Sequence, residues 1–437
     1  MKTIRIRLLA AFAMLAAVTA RADTVTIVTS FPKELTDAYK KAYEAKTPGT
    51  TVEILNKGTS AGIAYVRESA AGNKPDIFWV SAPDAFEVLA KENLLEKLPD
   101  LNPAIPAKIG DFPINDPNGF YKGQALAGYG IMFNTRYLQA NDLPAPKEWA
   151  DLAKPIYFGH VATCAPSRSG TTQLTMETIL QGEGWENGWR QIAMIAGNCA
   201  VISDRSTAVP DGVGSGQFGL GLVIDFFGLA AKNSGFPVDF VYPSITAIVP
   251  ANIGLIAGAK NADAAKKFIA YSVSTEGQEL LLEPKISRLP VLPAAYAKAP
   301  KDFPRPFEKP ITAKVKFDAQ LSEARYYVVS ALFDQTITFR HKELVEATRA
   351  IQAAEVKVEK SRNLEAIKLL DEARRLAFSP LVSTTQISDK AFLATFKASK
   401  KDAETAKKVT AVEEAWGTQA KGNYAKAAEL ATKAAAM

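Results

Sequence analysis

One short segment combines the residue types that bind anions. Immediately before a stretch with helical character, the chain reads Ser167-Arg168-Ser169-Gly170-Thr171-Thr172. A helix start offers backbone N–H groups without intrahelical acceptors, at the positive end of the helix dipole. The guanidinium and hydroxyls could add hydrogen bonds to phosphate or carboxylate, and Gly170 would allow close backbone approach. The segment is therefore a candidate anion-binding site, which we call the anion cradle. Without further context, however, an ordinary helix N-cap with a solvated arginine is the better interpretation of these residues.

Other polar residues follow predicted strands. They are Ser30, Thr59, Ser60, Ser206 and Asp225. Open α/β sheets bind ligands at the carboxyl ends of their strands, so we expect these side chains to face a ligand. Asp225 ends an apolar strand and could accept hydrogen bonds from ligand hydroxyls. Each of these residues could equally well cap a helix.

The elements that would position these residues alternate between short apolar runs and amphipathic stretches from residue 23 to about 270. This alternation is typical of α/β units. A strand with two glycines, around 125–134, looks like a crossing from one lobe to a second α/β series. Residues 262–282 are predicted as one helix, which places Ala265, Phe268 and Ile269 on a face that packs against the first lobe.

The chain changes character after residue 310. Between Ile311 and Met437 the only Gly and Pro residues are Pro380, Gly417 and Gly422. From Thr312 onward, 21 Lys and Arg against 16 Asp and Glu give a net charge of +5. The composition predicts an all-helical extension at 311–437, which we expect to brace the lobes or dock a partner. A chain ending near Pro310 is expected to keep its ligand affinity.

The N-terminus predicts a secreted protein. A basic start with Lys2, Arg5 and Arg7 precedes an apolar run that is too short for a membrane anchor, and Ala20-Arg21-Ala22 fits a cleavage site. Removal of residues 1–22 takes away four positive charges and lowers the net charge from +6 to +2. We therefore expect a free periplasmic protein that does not bind nucleic acid, and we leave a retained N-terminal anchor as the alternative.

The remaining composition excludes several classes of protein. With 437 residues, 47% hydrophobic and 22% charged, the chain is folded and large enough for several domains. Its two cysteines, Cys164 and Cys199, are expected to form a disulfide in an oxidising compartment, with two buried thiols as the alternative. His160 and His341 are the only histidines. The chain therefore has few residues from which a Cys/His metal site or a Cys-His catalytic pair could be built.

Two further segments carry a family resemblance. The run from Ala247 to Gln278, with Ala247-Ile248-Val249-Pro250-Ala251-Asn252 at its start, and the run Asn73-Lys74-Pro75-Asp76-Ile77-Phe78-Trp79-Val80 resemble type 2 periplasmic solute-binding proteins of ABC importers. Within the ferric-iron and small-anion branch, the segments 166–172 and 215–225 look most like members that bind hexose phosphates or phosphoglycerate. The resemblance covers about residues 24–300. In this context the anion cradle becomes the favoured interpretation of residues 167–172.

The resemblance implies a two-lobed α/β fold, a Venus flytrap, with the all-α extension after it. We expect the first lobe at 23–130 and 246–310 and the second lobe at 131–245. It also implies a monomer that captures a small anionic, phosphorylated solute for an ABC permease, without a cofactor and without catalysis.

Two other roles within the branch stay open. The chain could instead be a sensor that signals to a membrane histidine kinase, or a ferric-iron binder. Iron is the weaker interpretation, because the adjacent tyrosines Tyr326 and Tyr327 lie in the extension. An enzyme could be argued from Ser30 and Lys33, which fit Ser-x-x-Lys, but no Lys-Thr-Gly accompanies them, so chance explains the match.

Overall fold

The computed structural model describes residues 23–69, 73–309, 311, 313–400 and 402–437. The expected signal peptide therefore lies outside the described residues. The first part of the chain alternates strands and helices as its apolar periodicity predicts. Its elements are β1 (Asp23–Thr29), α1 (Lys33–Lys46), β2 (Thr50–Asn56), α2 (Thr59–Glu68), β3 (Ile77–Val80), α3 (Pro83–Lys91), β4 (Leu95–Glu96), β5 (Lys108–Ile109), β6 (Phe112–Pro113) and β7 (Lys122–Asn134).

A second α/β series follows β7 and returns through a long strand. Its elements are α4 (Thr135–Ala140), short 3₁₀ helices at Trp149–Ala153 and Pro155–Tyr157, β8 (Val161–Cys164), α5 (Gly170–Glu183), α6 (Trp185–Gly197), β9 (Cys199–Ser203), α7 (Ala208–Ser215), β10 (Leu220–Ile224), α8 (Asp225–Asn233), β11 (Val238–Val241), β12 (Ile248–Ile256), α9 (Ala262–Ser272), α10 (Thr275–Leu280), β13 (Leu289–Pro290) and a 3₁₀ helix at Pro293–Lys298.

The strands follow the order β2-β1-β3-β12-β7-β10-β8-β9. The first half of β7 pairs with β12, at residues 122–128, and its second half pairs with β10 and β11, at residues 129–134. β7 therefore runs through both halves of the sheet, which form the two lobes of an α/β fold. Strands β1, β2 and β3 are mutually parallel, so their carboxyl ends meet at one edge of the first lobe.

Helix α9 packs where its apolar face predicts. Ala265, Phe268 and Ile269 are buried in a core cluster with Val25 and Ile27 of β1, which confirms packing on the first lobe. The predicted single helix 262–282 is wrong in its length. It stops at Ser272, because Ser274 caps a new helix by accepting a hydrogen bond from the Gly277 N–H at 3.2 Å.

The C-terminal region is helical, as its composition predicts. Its elements are α11 (Ala319–Thr336), a 3₁₀ helix at Thr338–Arg340, α12 (His341–Ser361), α13 (Leu364–Phe378), α14 (Thr384–Ser388), α15 (Lys390–Ala398) and α16 (Ala403–Ala435). None of the helices in the described ranges is long and apolar enough to cross a membrane.

The helical region shares a core with both lobes. Leu332 and Phe333 of α11 belong to the same buried cluster as Trp189 of α6 and Phe86 of α3. Trp185 at the start of α6 donates a hydrogen bond from its indole N–H to the Val382 carbonyl at 2.7 Å. The extension is therefore built into the lobes by apolar packing, and its removal would expose core residues to water.

The expected disulfide is wrong for this structure. Cys164 and Cys199 are both buried free thiols. In the parallel pair β8–β9, Cys164 lies opposite Ser203, whereas Cys199 lies opposite Val161, so the two cysteines stand at opposite ends of the paired segment. Each thiol instead donates to a backbone carbonyl, of Ala165 and of Ile195 respectively. The parallel register thus places the sulfur atoms too far apart for a bridge.

Candidate functional site

A cavity of about 460 Å³ lies where the carboxyl ends of strands from both lobes meet. Its walls are formed mainly by hydroxyl-bearing residues and two arginines. The lining residues are Ser30, Phe31, Asn56, Gly58, Thr59, Ser60, Ala61, Ser81, Ser167, Arg168, Ser169, Thr171, Asp204, Arg205, Ser206, Thr207, Phe226 and Phe227. Eight of the eleven residues proposed from the sequence are therefore brought together in one cavity.

Two helix N-termini face this cavity, one from each lobe. Helix α2 begins at Thr59, after Gly58, and contributes Thr59, Ser60 and Ala61 to the wall. Helix α5 begins at Gly170 in the second lobe. Since both helices present unpaired backbone N–H groups and the positive ends of their dipoles, the cavity is suited to a negatively charged group.

The cap of α5 leaves donors available to a ligand. The Ser169 hydroxyl accepts a hydrogen bond from the Thr172 N–H at 3.2 Å and so fixes the first turn. The buried Ser167 hydroxyl has no hydrogen-bond partner among the described residues. A buried hydroxyl that lacks a partner carries a desolvation cost, which a bound anion would relieve by accepting its hydrogen bond.

Both arginines of the cavity are exposed. Arg205 donates a hydrogen bond to the Asn56 side-chain oxygen of the first lobe at 3.3 Å, which ties the two lobes together at the rim. The Arg168 guanidinium makes no hydrogen bond or ion pair with any residue that the structure describes. Arg168 is therefore free to bind an anion bidentately.

The lobes are in close contact beside the cavity, and Gly170 makes this possible. A methyl group placed on Gly170 would lie 2.8 Å from the Thr59 side chain and 2.9 Å from the Ala82 Cβ atom. A methyl group on Gly58 would lie 3.0 Å from the Arg168 carbonyl oxygen. The glycines thus allow the two helix N-termini to approach each other closely.

Three residues proposed from the sequence do not line this cavity. Gly170 faces Thr59 and Ala82, and the buried Thr172 is used inside the helix cap. Asp225 departs most from the expectation, since its fully buried carboxylate accepts hydrogen bonds from the N–H groups of Gly128 and Phe226 and from the Tyr242 hydroxyl. Burial raises the pKa of Asp225 to about 7. This aspartate holds the lobe junction together and does not point toward ligand hydroxyls.

The sequence reasoning missed the aromatic and amide residues of the site. Phe31 and Phe226 lie two positions beyond the ends of β1 and β10, but aromatic residues beside apolar strands are indistinguishable from core residues in the sequence. Asn56 donates from its side-chain amide to the Phe31 carbonyl at 2.7 Å. Its position at the end of β2 is the signal that could have identified it.

A second cavity, of about 1060 Å³, opens on the other side of these aromatic residues. It shares Ser30, Phe31, Asn56, Arg205, Thr207, Phe226 and Phe227 with the first cavity. Arg288, which no sequence pattern indicated, lies on its wall. The described residues that line the two cavities all precede residue 289, so the helical extension contributes to neither wall.

A separate cavity of about 860 Å³ lies between the 109–121 segment and the 311–320 segment. It is remote from the strand ends that carry the candidate residues. Lys316 on its wall pairs with Asp111 at 3.2 Å. It shares no lining residue with the 460 Å³ cavity.

Comparison with known proteins places this fold in a family. The sequence profile of the bacterial extracellular solute-binding protein family matches residues 72–314, which is more than half of the chain. The chain belongs to this family. This solute-binding protein is 29% identical over 373 residues to the phosphoglycerate transport regulatory protein PgtC of Salmonella typhimurium, a match that covers 85% of this chain and 89% of that protein.

Other relatives differ in their ligands. The solute-binding protein is 27% identical over 300 residues to the major ferric iron-binding protein of Neisseria gonorrhoeae, which covers 64% of this chain and 84% of that protein. Its structure is similar to that of the periplasmic binding protein AfuA of Actinobacillus pleuropneumoniae, solved with fructose 6-phosphate. The TM-score is 0.64 at 18% identity, over 72% of this chain and 99% of AfuA.

These comparisons confirm the family, the two-lobed α/β fold and the general role of solute binding. Among the described residues, no group of three or more His, Cys, Asp or Glu side chains could hold a metal ion. The adjacent tyrosines of the iron interpretation make contacts between the extension and α2. Tyr326 contacts Ser60, and Tyr327 accepts a hydrogen bond from Arg67 at 2.6 Å.

Proposed function

We propose that this protein captures a small phosphorylated organic anion between its lobes and delivers it to an ABC permease. The observation that carries the proposal is the convergence of two helix N-termini, from α2 and α5, on a cavity that also holds Arg168. A phosphate group can accept hydrogen bonds from backbone N–H groups, hydroxyls and a guanidinium at once, because it presents several oxygen acceptors. We infer that the protein works in the periplasm as a monomer and binds its solute without chemical conversion.

The names of the relatives support the same ligand class. PgtC is named for phosphoglycerate, and AfuA was solved with fructose 6-phosphate. The cavity volume of about 460 Å³ suits a ligand of this size. Sugar phosphates and phosphoglycerates are therefore the first compounds to test.

A thermal-shift screen tests the ligand class directly. It compares 3-phosphoglycerate, fructose 6-phosphate, a phosphonate and ferric citrate with buffer alone. A ligand that binds only the folded protein raises the midpoint of unfolding, by an amount that grows with the logarithm of the ligand concentration relative to the dissociation constant. We expect a rise with at least one phosphorylated compound and none with ferric citrate. A shift with ferric citrate alone would instead support iron binding.

A sensing role is the second candidate, and the extent of one match favours it. The match with PgtC, a transport regulatory protein, covers 85% of this chain, which is more residues than precede residue 310. It therefore includes part of the helical extension. Helix α11 contacts both lobes, so the extension could report lobe closure to a membrane kinase. Neighbouring genes discriminate between the roles, since permease and ATPase genes favour transport and a histidine kinase gene favours sensing.

A further inference from the structure

Arg288 is a buried arginine without hydrogen-bond partners in the described parts of the chain. It is 1% exposed, and its three guanidinium nitrogens, Nε, Nη1 and Nη2, all lack an acceptor there. The guanidinium carbon lies 3.9 Å from the centre of the Phe31 ring and 3.6 Å from the centre of the Phe226 ring. The two rings cover the guanidinium by cation–π contact, but they satisfy none of its N–H groups.

The position of Arg288 connects it to the ligand cavities. It directly precedes β13, which pairs with the first half of β7 in the first lobe. Phe31 follows β1 of the first lobe, and Phe226 follows β10 of the second lobe. Both rings belong to the wall that the two cavities share, and Arg288 borders the larger cavity. Arg288 therefore lines the larger cavity and contacts two rings, one from each lobe, that also line the smaller cavity.

No carboxylate of the described residues neutralises Arg288 by direct contact. The nearby charge of Asp225 acts on it, but the Asp225 oxygens already accept three hydrogen bonds. Burial lowers the pKa of Arg288 to about 9, so the side chain stays positively charged at neutral pH. A buried cation whose N–H groups lack acceptors is costly, and the cost is removed when an anion binds.

The other charged groups on the wall of the larger cavity do not replace Arg288. Lys33 is exposed and pairs with Asp37 at 3.9 Å, Lys285 and Arg205 are exposed as well, and Glu34 and Asp211 add negative charge. The wall as a whole is therefore mixed in sign. Arg288 is distinguished from its neighbours by being both buried and unpaired.

We propose that Arg288 binds a second anionic group of the ligand, a carboxylate, so that the solute is a phosphorylated carboxylic acid rather than a phosphorylated sugar. This inference rests on the proposed function, which places the phosphate at Arg168 and the α5 N-terminus. The two rings contact the guanidinium but accept none of its hydrogen bonds, so its N–H groups are the donors that a carboxylate entering from the larger cavity would use. A planar carboxylate pairs with these N–H groups bidentately, whereas a sugar hydroxyl would leave the charge without a counterion.

Calorimetry with two matched ligands tests the inference on the mature protein. 3-Phosphoglycerate carries a carboxylate where glycerol 3-phosphate carries a hydroxymethyl group, and both carry the same phosphate. The wild type should bind 3-phosphoglycerate at least about 30-fold more tightly than glycerol 3-phosphate, because only 3-phosphoglycerate can form a buried charge pair with Arg288. Arg288→Met should abolish this preference and leave the affinity for glycerol 3-phosphate nearly unchanged. Arg288→Lys should keep part of the preference, because the positive charge remains while the planar, bidentate N–H donors of the guanidinium are lost.

The controls separate binding from folding. Lys267→Met removes an exposed positive charge from α9, outside both cavities, and should not change either affinity. Thermal unfolding of each variant verifies that it is folded, and the preference of the wild type stands as a test even if Arg288→Met fails to fold.

Three results would overturn the inference. A wild type that binds both ligands equally refutes the carboxylate site and leaves the proposed function intact. If Arg288→Met weakens the binding of both ligands by the same factor, Arg288 only supports the fold. A wild type that binds neither phosphorylated compound refutes the proposed function and the inference with it.

Discussion

The hydroxyl of Tyr326 lies 2.9 Å from the hydroxyl of Ser60. Ser60 lines the cavity in the first turn of α2, whereas Tyr326 belongs to α11 in the helical extension. On the same helix, Ser330 donates to the Gln173 side chain of α5 at 3.1 Å. Helix α11 thus contacts the two helices whose N-termini face the cavity, although it contributes nothing to the cavity walls.

Tyr326→Phe removes the hydroxyl bond to Ser60 and keeps the aromatic packing. We expect the free energy of unfolding to fall by about 1 kcal/mol, which is typical for one lost hydrogen bond. Urea denaturation followed by circular dichroism measures the change. A variant as stable as the wild type would show that the contact contributes nothing to holding α11 on the first lobe.

The ion pair between Arg325 and Glu177 joins α11 to α5 in the interior. Both side chains are buried, and burial raises the pKa of Glu177 against the opposing effect of the arginine. Arg325→Met should destabilise the protein by about 3–5 kcal/mol, because the glutamate is left buried without its counterion. The exposed pair of Arg375 with Glu372 supplies the control, and Arg375→Met should have little effect. Equal effects of the two substitutions in urea denaturation would contradict this account.

Asp84 predicts a pH dependence of stability. Its carboxylate is fully buried between α3 and α11 and accepts a hydrogen bond from the Ser322 hydroxyl at 2.8 Å. Burial raises its pKa from 3.8 to about 7. The folded protein therefore retains a proton that the unfolded chain releases near pH 4, so this contribution to stability is full below pH 4 and is lost as the pH rises through 7.

Asp84→Asn removes this titration and keeps an acceptor for Ser322. Relative to the variant, the wild type should lose stability as the pH rises from about 4 to about 7, and the difference should level off above pH 7 in urea denaturation. A difference in unfolding free energy that is constant over this range would mean that Asp84 is not protonated in the folded state.

The two thiols predict a distinct labelling pattern. Burial raises the pKa of Cys164 to about 11 and also raises the pKa of Cys199. Iodoacetamide should label neither cysteine in the folded protein but both in urea without a reductant, as measured by intact mass. Protein purified from the periplasm that stays unlabelled in urea would demonstrate a disulfide and contradict the strand register.

The sequence predicted those features that depend only on residues close together in the chain, such as the start of α5 and the apolar face of α9. Ser167 to Thr171 were identified because a helix start and its cap residues lie next to each other in sequence. Gly170 has a consequence that sequence alone does not reveal, since only the folded lobes place it against Thr59. The apolar face of α9 was likewise predictable, because a helical period needs no knowledge of the partner surface.

Residues whose roles depend on the meeting of distant segments could not be predicted. Arg288 acquires its environment from Phe31 and Phe226, which are 257 and 62 positions away in the sequence. Asp225 comes directly after strand β10 and begins α8, and its carboxylate oxygens accept hydrogen bonds from Gly128 and Tyr242 at the lobe junction. Composition predicted the helices of the extension without indicating that they share a core with the lobes.

Arg168 is the residue on which the proposed phosphate binding depends most. Isothermal titration calorimetry of the wild type and Arg168→Ala with 3-phosphoglycerate tests this directly. Loss of a charge-assisted pair should cost about 2–5 kcal/mol of binding free energy, so the variant should lose most of its affinity while its thermal unfolding stays unchanged. Wild-type affinity in a folded Arg168→Ala protein would remove Arg168 from the site and contradict the account.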